Sequence, residues 1–289
     1  MNKKQKRIIS NERKNLKIKF SDQIFSFFYQ RYLNITERIL LKYFRLKNKK
    51  NDFFNKPLIT VYTPTFNRAN ILQSRAIKSV LKQSYKNFEY IIVGDGCTDN
   101  TEKVVKKIKD KRIKFFNIKR KILYKKNIEN LWFAGPVRPN NFALKLAKGK
   151  WLARIDDDVI WHKDHLKRSL ENCKRNNLEF TTSASEAIRF KKKVRAKPYK
   201  INNNIMGGSN TFFYISYLKF FKFNIHCWKK NINRVNDIDL FDRISKSGTR
   251  IGYSKKINNY ILPRPGEITI GFDQLILKKK EYKKKYFLS

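Results

Sequence analysis

From Pro57 to Asp158 the sequence alternates between two hydrophobic periods, and this alternation limits what the chain can fold into more than any other feature. "PLITVYTPTFNR" is a β-rich run closed by Pro64, and "ANILQSRAIKSVLKQSY" sets Ile71, Leu72, Ala76, Ile77, Val80 and Leu81 at helical spacing. "NFEYIIVGDG" then reads as a buried strand ended by a glycine-bearing turn, with Thr98 or Asp99 placed to cap a helix over "TEKVVKKIKD". "RIKFFNI" is a third strand candidate. After a loop containing Gly135, Pro136 and Pro139, "NFALKLAKG" predicts a helix closed by Gly149, and "WLARI" is a short strand leading into Asp156, Asp157 and Asp158. Strands alternating with helices predict an α/β fold with a mostly parallel sheet, whose ligands bind at the carboxyl ends of the strands. Asp95 and the Asp triplet both fall at such ends.

The triplet is notable because acids are scarce. The chain of 289 residues has 67 Lys and Arg against 23 Asp and Glu, a formal charge of +44. Three adjacent carboxylates repel one another unless a positive charge lies between them, so the run reads as a solvated turn or a site for a hard cation such as Mg²⁺ or Mn²⁺. On a strand Asp156 and Asp158 would share a face and Asp157 would point away, a constraint that a turn relaxes. Codon bias does not explain why Lys outruns Glu so heavily, so the charge predicts an anionic partner: lipid, nucleic acid or a phosphate-bearing substrate.

With 41% hydrophobic residues, including 23 Phe and 14 Tyr, the chain can build a real core. Cys97, Cys173 and Cys227 are odd in number and widely spaced, which fits a reducing compartment better than a disulfide framework or a zinc cluster. No run of 18 consecutive apolar residues exists and no apolar stretch of signal-peptide length follows the basic start, so a cytoplasmic, non-spanning chain is expected. Residues 1–55 are expected to form a basic amphipathic helical extension: residues 1–50 hold 15 Lys or Arg and three acids. Phe25, Phe28, Tyr29, Tyr32, Ile39, Leu40, Tyr43 and Phe44 recur there at helical spacing. That face suits an anionic membrane surface, or equally packing on the following domain or a second copy. The main domain is expected over 56–272, with a basic, low-complexity tail, frayed or surface-bound, over 273–289.

In order, "PLITVYTPTFNR", "NFEYIIVGDGCTDNT" and "NNFALKLAKGKWLARIDDD", with the looser "GGSN" and "NDIDLFDRISKSG", resemble the family 2 glycosyltransferases, nucleotide-diphospho-sugar transferases of GT-A fold. The resemblance implies a Rossmann-like, mostly parallel central sheet flanked by helices, divided into a nucleotide-sugar-binding half (56–160) and an acceptor-binding half (161–272). It implies a metal-dependent, inverting, hexosyltransferase-like activity on a hydroxyl acceptor in cell-surface glycan or polysaccharide synthesis, with Mn²⁺ or Mg²⁺ as cofactor. The donor would be a nucleotide-diphospho-sugar, commonly a UDP-sugar, and the acceptor a glycan or lipid-linked sugar. Such a chain would work peripherally on the inner face of the membrane and engage no specific nucleic acid.

Residue by residue, Asp95 matches the acid that accepts hydrogen bonds from the nucleotide base, and Thr63 and Arg68 match positions lining the nucleotide pocket. Asp156 and Asp158 match the outer acids of the DxD motif: Asp158 as metal ligand, Asp156 as its partner near the metal and sugar, with Asp157 next to the ribose. Asn141 matches an Asn that precedes the motif, and Arg138 is a nearby candidate for the diphosphate. Asp237 matches the catalytic base; Asn236 stands where the family usually has Glu, which leaves Asp239 a rival. Arg154, in a strand that is usually apolar, is expected either part-exposed or close to phosphate.

Other residues have plainer alternatives. His162 and His165 lie three apart, but a histidine pair at a helix start is more often surface than metal site. His226 suits packing. Phe212, Phe213, Tyr214 and Tyr217 could stack on an acceptor sugar, although core packing is the commoner fate of such residues. "GGSN" resembles a loop admitting an acceptor closely, or an ordinary turn. "EFTTSASEAIRF" reads as a strand pair and "GGSNTFFYISYLKFF" as a loop feeding a helix. Two other classes fit the sequence less well. A basic nucleic-acid-binding protein leaves the acids unexplained. A sugar nucleotidyltransferase would need a glycine-rich first loop, which "TPTFNR" lacks.

Overall fold

A computed structural model describes residues 18–48 and 56–288, together with Gln5 and Ile9. The rest of the expected N-terminal extension lies outside the described residues. Helix α1 (Phe20–Lys47) leads to β1 (Ile59–Thr65), and α2 spans residues 69–81 with a π-helical turn, Gln73–Ile77, in its middle. There follow β2 (Phe88–Asp95), α3 (Thr101–Lys106), β3 (Ile113–Ile118), α4 (Ile128–Ala134), α5 (Val137–Leu146), β4 (Trp151–Arg154), β5 (Val159–Trp161) and α6 (His165–Arg175). The second half contains β6 (Phe180–Arg189), β7 (Lys192–Arg195), β8 (Tyr199–Ile201), β9 (Asn204–Met206), β10 (Phe213–Ile215), α7 (Asn236–Lys246), β11 (Ile251–Ile261), α8 (Gly271–Leu277) and α9 (Lys279–Lys283).

The main sheet runs β3-β2-β1-β4-β10-β6-β11-β5, with β7 on the side of β6. The pairs β3-β2, β2-β1, β1-β4 and β6-β11 are parallel; β10 and β5 run antiparallel to their neighbours. β1 and β2 are buried along their whole length, as strands covered on both faces must be. All three cysteines are free and buried.

The predicted elements of the first half form, with shifted ends. β1 continues through Pro64 to Thr65, since one missing donor at a strand end removes a single ladder bond. The third helix stops at Lys106, because Asp110 Oδ1 accepts from Arg112 N at 3.0 Å in the turn that starts β3. Asp99, rather than Thr98, serves its start, accepting from Thr101 N at 3.0 Å. The expected loop around Pro136 and Pro139 is mostly helix: Pro139 sits in the first turn of α5, where no partner for an amide is needed. Gly149 lies beyond that helix in a turn pressed on β1, where any side chain would run into the Thr60 backbone.

The second half departs further. "EFTTSASEAIRF" is one long strand, β6, whose partner β7 follows a tight hairpin through Phe190 and Lys191 at positive φ. "TFFYISYLKFF" holds β10, inserted between β4 and β6, then a 3₁₀ turn, because a strand buried on both faces shows no alternation to distinguish it from a buried helix. Phe213 stacks on Trp151 at 5.1 Å and Tyr214 on Phe180 at 5.4 Å, so Phe212, Phe213 and Tyr214 are core residues and Tyr217 bonds Glu179. Gly207 is needed by the chain itself: a side chain there would strike the Ser183 carbonyl. His165 is fully buried against Trp161 at 4.1 Å, not on the surface, while His226 packs edge-on to Phe25 and Tyr29.

The two ends of the chain both dock. α1 packs on α7 and on the turns at Ser216–Phe220 and Cys227–Lys229. Glu37 bonds Arg243 there, and burial still pushes the Glu37 carboxyl up to about 7. The segment expected as a frayed or surface-bound tail over 273–289 is not frayed: it lies in α8 and α9, whose Leu275 and Tyr282 pack on Ile128 and Leu131 of α4.

Candidate active site

β2 and β4 end at the same edge of the sheet, and their register through β1 brings Asp95 and the Asp triplet to it. Gly96, at φ +73°, turns the chain so closely against Arg120 that no side chain fits there. Arg120 Nη1 donates to Asp95 Oδ2 at 3.0 Å, and Arg138 Nη1 lies 3.7 Å from Asp95 Oδ1, a buried oxygen without a hydrogen-bond donor. Burial raises the Asp95 carboxyl from its ordinary value, and the two arginines oppose that rise. Arg138 also donates to the Lys119 carbonyl at 3.0 Å.

The triplet sits on a turn, so its three side chains diverge. Asp156 accepts from Arg154 Nη2 at 2.7 Å, and its backbone amide donates to Asn210 Oδ1 at 2.9 Å. Asp157 is buried and accepts from Thr65 Oγ1 and from Arg68 Nη1, each at 2.8 Å, tying the loop after β1 to the triplet. Asp158 Oδ2 accepts from Arg264 Nε at 2.9 Å, with Arg68 Nη1 at 3.7 Å. Burial alone would raise the Asp158 carboxyl, but Arg264, Arg68 and Arg75 outweigh it and hold it below the usual range. Arg75 fastens the loop after β11 to this turn, donating to the carbonyls of Asp158 (3.0 Å), Leu262 (2.8 Å) and Pro263 (2.6 Å).

Arg154 is buried and neither part-exposed nor open to a phosphate; it is held between Asp156 and Ser209 Oγ, 2.8 Å away. Asp237, half-buried in the first turn of α7, is near enough to act electrostatically on both Arg154 and Asp156. Asp239 is one turn-face away and fully buried, its two oxygens taken by Lys230 Nζ and Arg243 Nε at 2.9 Å each. Those cations outweigh burial and lower its carboxyl. Its carboxylate is thus committed to the fold and cannot reach a substrate. Thr63 is buried in β1 with its hydroxyl 2.9 Å from that of Tyr90, and half-buried Asn141 clamps the Phe223 backbone with both side-chain atoms at 2.9 Å, so both side chains are engaged within the fold.

Several site residues escape the sequence reading. Arg120 could have been found, since it directly follows β3 at the same edge. Arg75 lies in the π-helical turn of α2, and Arg264 follows β11, a strand the sequence did not reveal. The chain's end is the least expected: Tyr286 accepts from Arg68 Nη2 at 2.9 Å, its ring lies 5.2 Å from Phe66, and the Arg120 guanidinium sits over both rings. Tyr282 accepts from Arg264 Nη1 at 2.7 Å.

Two acidic centres, each set among arginines, stand at the carboxyl edge of a mostly parallel sheet, the edge at which α/β domains bind their ligands. The family model for glycosyl transferase family 2 matches residues 60–245, and the chain belongs to that family. WfgD of Escherichia coli, a UDP-Glc:alpha-D-GlcNAc-diphosphoundecaprenol beta-1,3-glucosyltransferase, is 31% identical over 131 residues, 45% of this chain and 47% of that protein. S. aureus TarS 1–349 in complex with UDP-GlcNAc matches with a TM-score of 0.56 at 21% identity, over 73% of this chain and 60% of that one. The mannosyltransferase PcManGT of Pyrobaculum calidifontis, in complex with GDP-Man and Mn²⁺, matches with a TM-score of 0.53 at 14% identity, over 83% and 68%. These likenesses establish the GT-A fold. The chain spans less than half the length of the curated relatives it matches.

Proposed function

We propose that the chain transfers a sugar from a nucleotide-diphospho-sugar, with UDP the favoured nucleotide, to a hydroxyl of a lipid-linked or growing cell-surface glycan at the inner face of a membrane. The observation that carries this reading is Asp95 Oδ1, a buried acceptor without a donor, at the same sheet edge as an arginine-ringed Asp triplet. An N–H of a base such as uracil supplies the missing donor, and Arg68, Arg120 and Arg138 are the cations nearest the path from there to the triplet.

Asp158, held below the usual carboxylate range, and Asp156, whose carboxyl is pushed up to about 6 by burial and the neighbouring acids and which has one oxygen free of Arg154, make a two-acid donor set. It suits a hard cation completed by diphosphate oxygens, whose charge would favour ionised Asp156. Among the described residues no group of three or more His, Cys, Asp or Glu side chains is placed to hold a metal, the triplet included, so any cation here would depend on the donor's own oxygens for the rest of its ligands. A bound Mn²⁺ or Mg²⁺ would stabilise the negative charge that builds on the leaving diphosphate. Asp157, buried with both oxygens engaged, holds the loop carrying Arg68 in place instead of contacting the ribose itself. Asp237 takes the proton of the attacking hydroxyl, and a single displacement with one base inverts the anomeric centre. The relatives named for UDP-glucose and for UDP-GlcNAc support the nucleotide, and the diphosphoundecaprenol acceptor of WfgD supports a lipid-linked acceptor.

The test is release of labelled nucleotide from a panel of nucleotide sugars with Mn²⁺, comparing wild type with Asp158→Ala. A loss of at least about 100-fold is expected for the variant, corresponding to several kcal/mol of charge stabilisation. Equal rates, or no nucleotide-sugar binding by wild type, would end the reading.

A further inference from the structure

Helix α1 has two faces, and the fold uses one. Ser26, Glu37 and Leu41 are buried against the domain, whereas Phe28, Tyr32, Ile35, Ile39, Tyr43 and Leu46 are each 53–66% exposed. These six recur at spacings of three and four, so they form one continuous apolar stripe along about five turns of helix.

The charges of α1 are sorted the same way. Its two acids turn inward and are consumed there: Asp22 pairs with Lys229 at 3.1 Å and Glu37 with Arg243. The cations flank the stripe. The Arg31 guanidinium lies over the Phe27 ring at 5.3 Å, the Lys47 ammonium over the Tyr43 ring at 6.0 Å, and Lys19 and Lys42 are exposed. No acid of α1 stands on this side. Residues 1–19 add eight Lys or Arg against one acid, Glu12, to the same end of the chain.

Aromatic and aliphatic side chains flanked by uncompensated cations are what the boundary between headgroups and acyl chains accepts: rings and methyls enter, and long basic side chains reach the phosphates. A second copy of the helix is the poorer occupant, because it would bring Arg31, Lys42 and Lys47 of both copies into one interface without an acid of α1 to offset them. No helix among the described residues is long and apolar enough to cross a membrane, so this face would lie on the surface of one.

We propose that the outer face of α1 is the surface on which the chain docks to an anionic bilayer. The inference deepens the proposed function and rests on it only for placing the acceptor in that bilayer. Arg38 of α1 bonds the Lys246 carbonyl at 3.0 Å, and Glu37 bonds Arg243, so docking also fixes α7, whose first turn carries Asp237, relative to the lipid surface.

The experiment is flotation of the full chain with phosphatidylcholine vesicles, with and without phosphatidylglycerol, for wild type, for Ile35→Ser/Ile39→Ser and for Arg31→Glu/Lys42→Glu. Wild type floats with the anionic vesicles and stays behind with phosphatidylcholine alone. Both double variants lose at least about 10-fold in partitioning. UDP affinity, measured by calorimetry on the same proteins, is unchanged in them, which verifies their folding. Asp158→Ala floats like wild type, so failure of docking and failure of the donor-site reading give different results. The proposal is overturned if the variants float as well as wild type, if phosphatidylcholine alone suffices, or if ultracentrifugation finds a dimer that Ile35→Ser/Ile39→Ser converts to monomer.

Discussion

Arg264 Nε lies 2.9 Å from Asp158 Oδ2, so the last acid of the triplet is met by a cation 106 residues further along the chain. Arg264 in turn bonds Tyr282, which ties this pair to the C-terminal helices. A donor diphosphate arriving at Asp158 would meet the same guanidinium. Replacing Arg264 by Ala is expected to weaken UDP binding about 10–100-fold, the loss of one charge-assisted hydrogen bond. Calorimetry without added metal measures the arginine's own contribution.

The Tyr286 ring lies against Phe66 and under Arg120, beside the Arg68 that holds Asp157. That is the space between Asp95 and Asp157, where the nucleoside of the proposed donor would lie. A ring that must leave lowers apparent affinity by the fraction of time it occupies the slot. Tyr286→Ala is therefore expected to tighten UDP binding by about 3–10-fold. A weaker complex in the same titration would mean that the ring supports the nucleoside instead of excluding it.

Asp237 and Asp239 separate by what their removal damages. Asp239→Ala removes the carboxylate shared by two buried cations, leaving Arg243 with Glu37 and Lys230 with Asp242 at 3.5 Å, and is expected to cost about 3–5 kcal/mol of stability, visible as a lower Tm. Asp237→Asn is expected to keep the wild-type Tm while kcat falls about 10²–10⁴-fold, the range for loss of a general base. Thermal unfolding and steady-state kinetics on both variants make the comparison.

His165 predicts an acid sensitivity unrelated to the site. Burial lowers its pKa to about 3, and both its ring nitrogens are buried without partners. The folded chain holds it neutral while the unfolded chain protonates it near 6.5, so the unfolded state binds the extra proton between pH 6.5 and 3. Stability therefore falls as pH drops through that window, by about 1.4 kcal/mol per unit for one group. His165→Phe, which keeps the stacking on Trp161, should flatten that part of the profile in denaturant titrations at several pH values.

The first four strands of the parallel half were legible because each is a local pattern: β-branched and aromatic runs broken by turn residues, then apolar positions at helical spacing. Asp95 and the triplet were legible for the same reason, since a residue just past a buried strand lies at a known edge. β10 was not, because a strand buried on both faces lacks alternation, and neither was β11, which is mostly half-exposed and is marked only by the strand it pairs with. Arg264 and Tyr286 have no local signature at all; their place depends on β11 and on α8 and α9 folding back over α4.

What the sequence by itself determined is the α/β order, the acids at the carboxyl edge, the family, and the two-faced helix at the N-terminal end. Only the tertiary structure decided which acids are free to act. Asp237 and Asp239 are two residues apart and chemically identical. Helical geometry leaves Asp237 half-buried and, among the described residues, unpaired with any cation in contact. It buries Asp239 between Lys230 and Arg243, and burial with paired charge commits a carboxylate to the fold in a way no local pattern records.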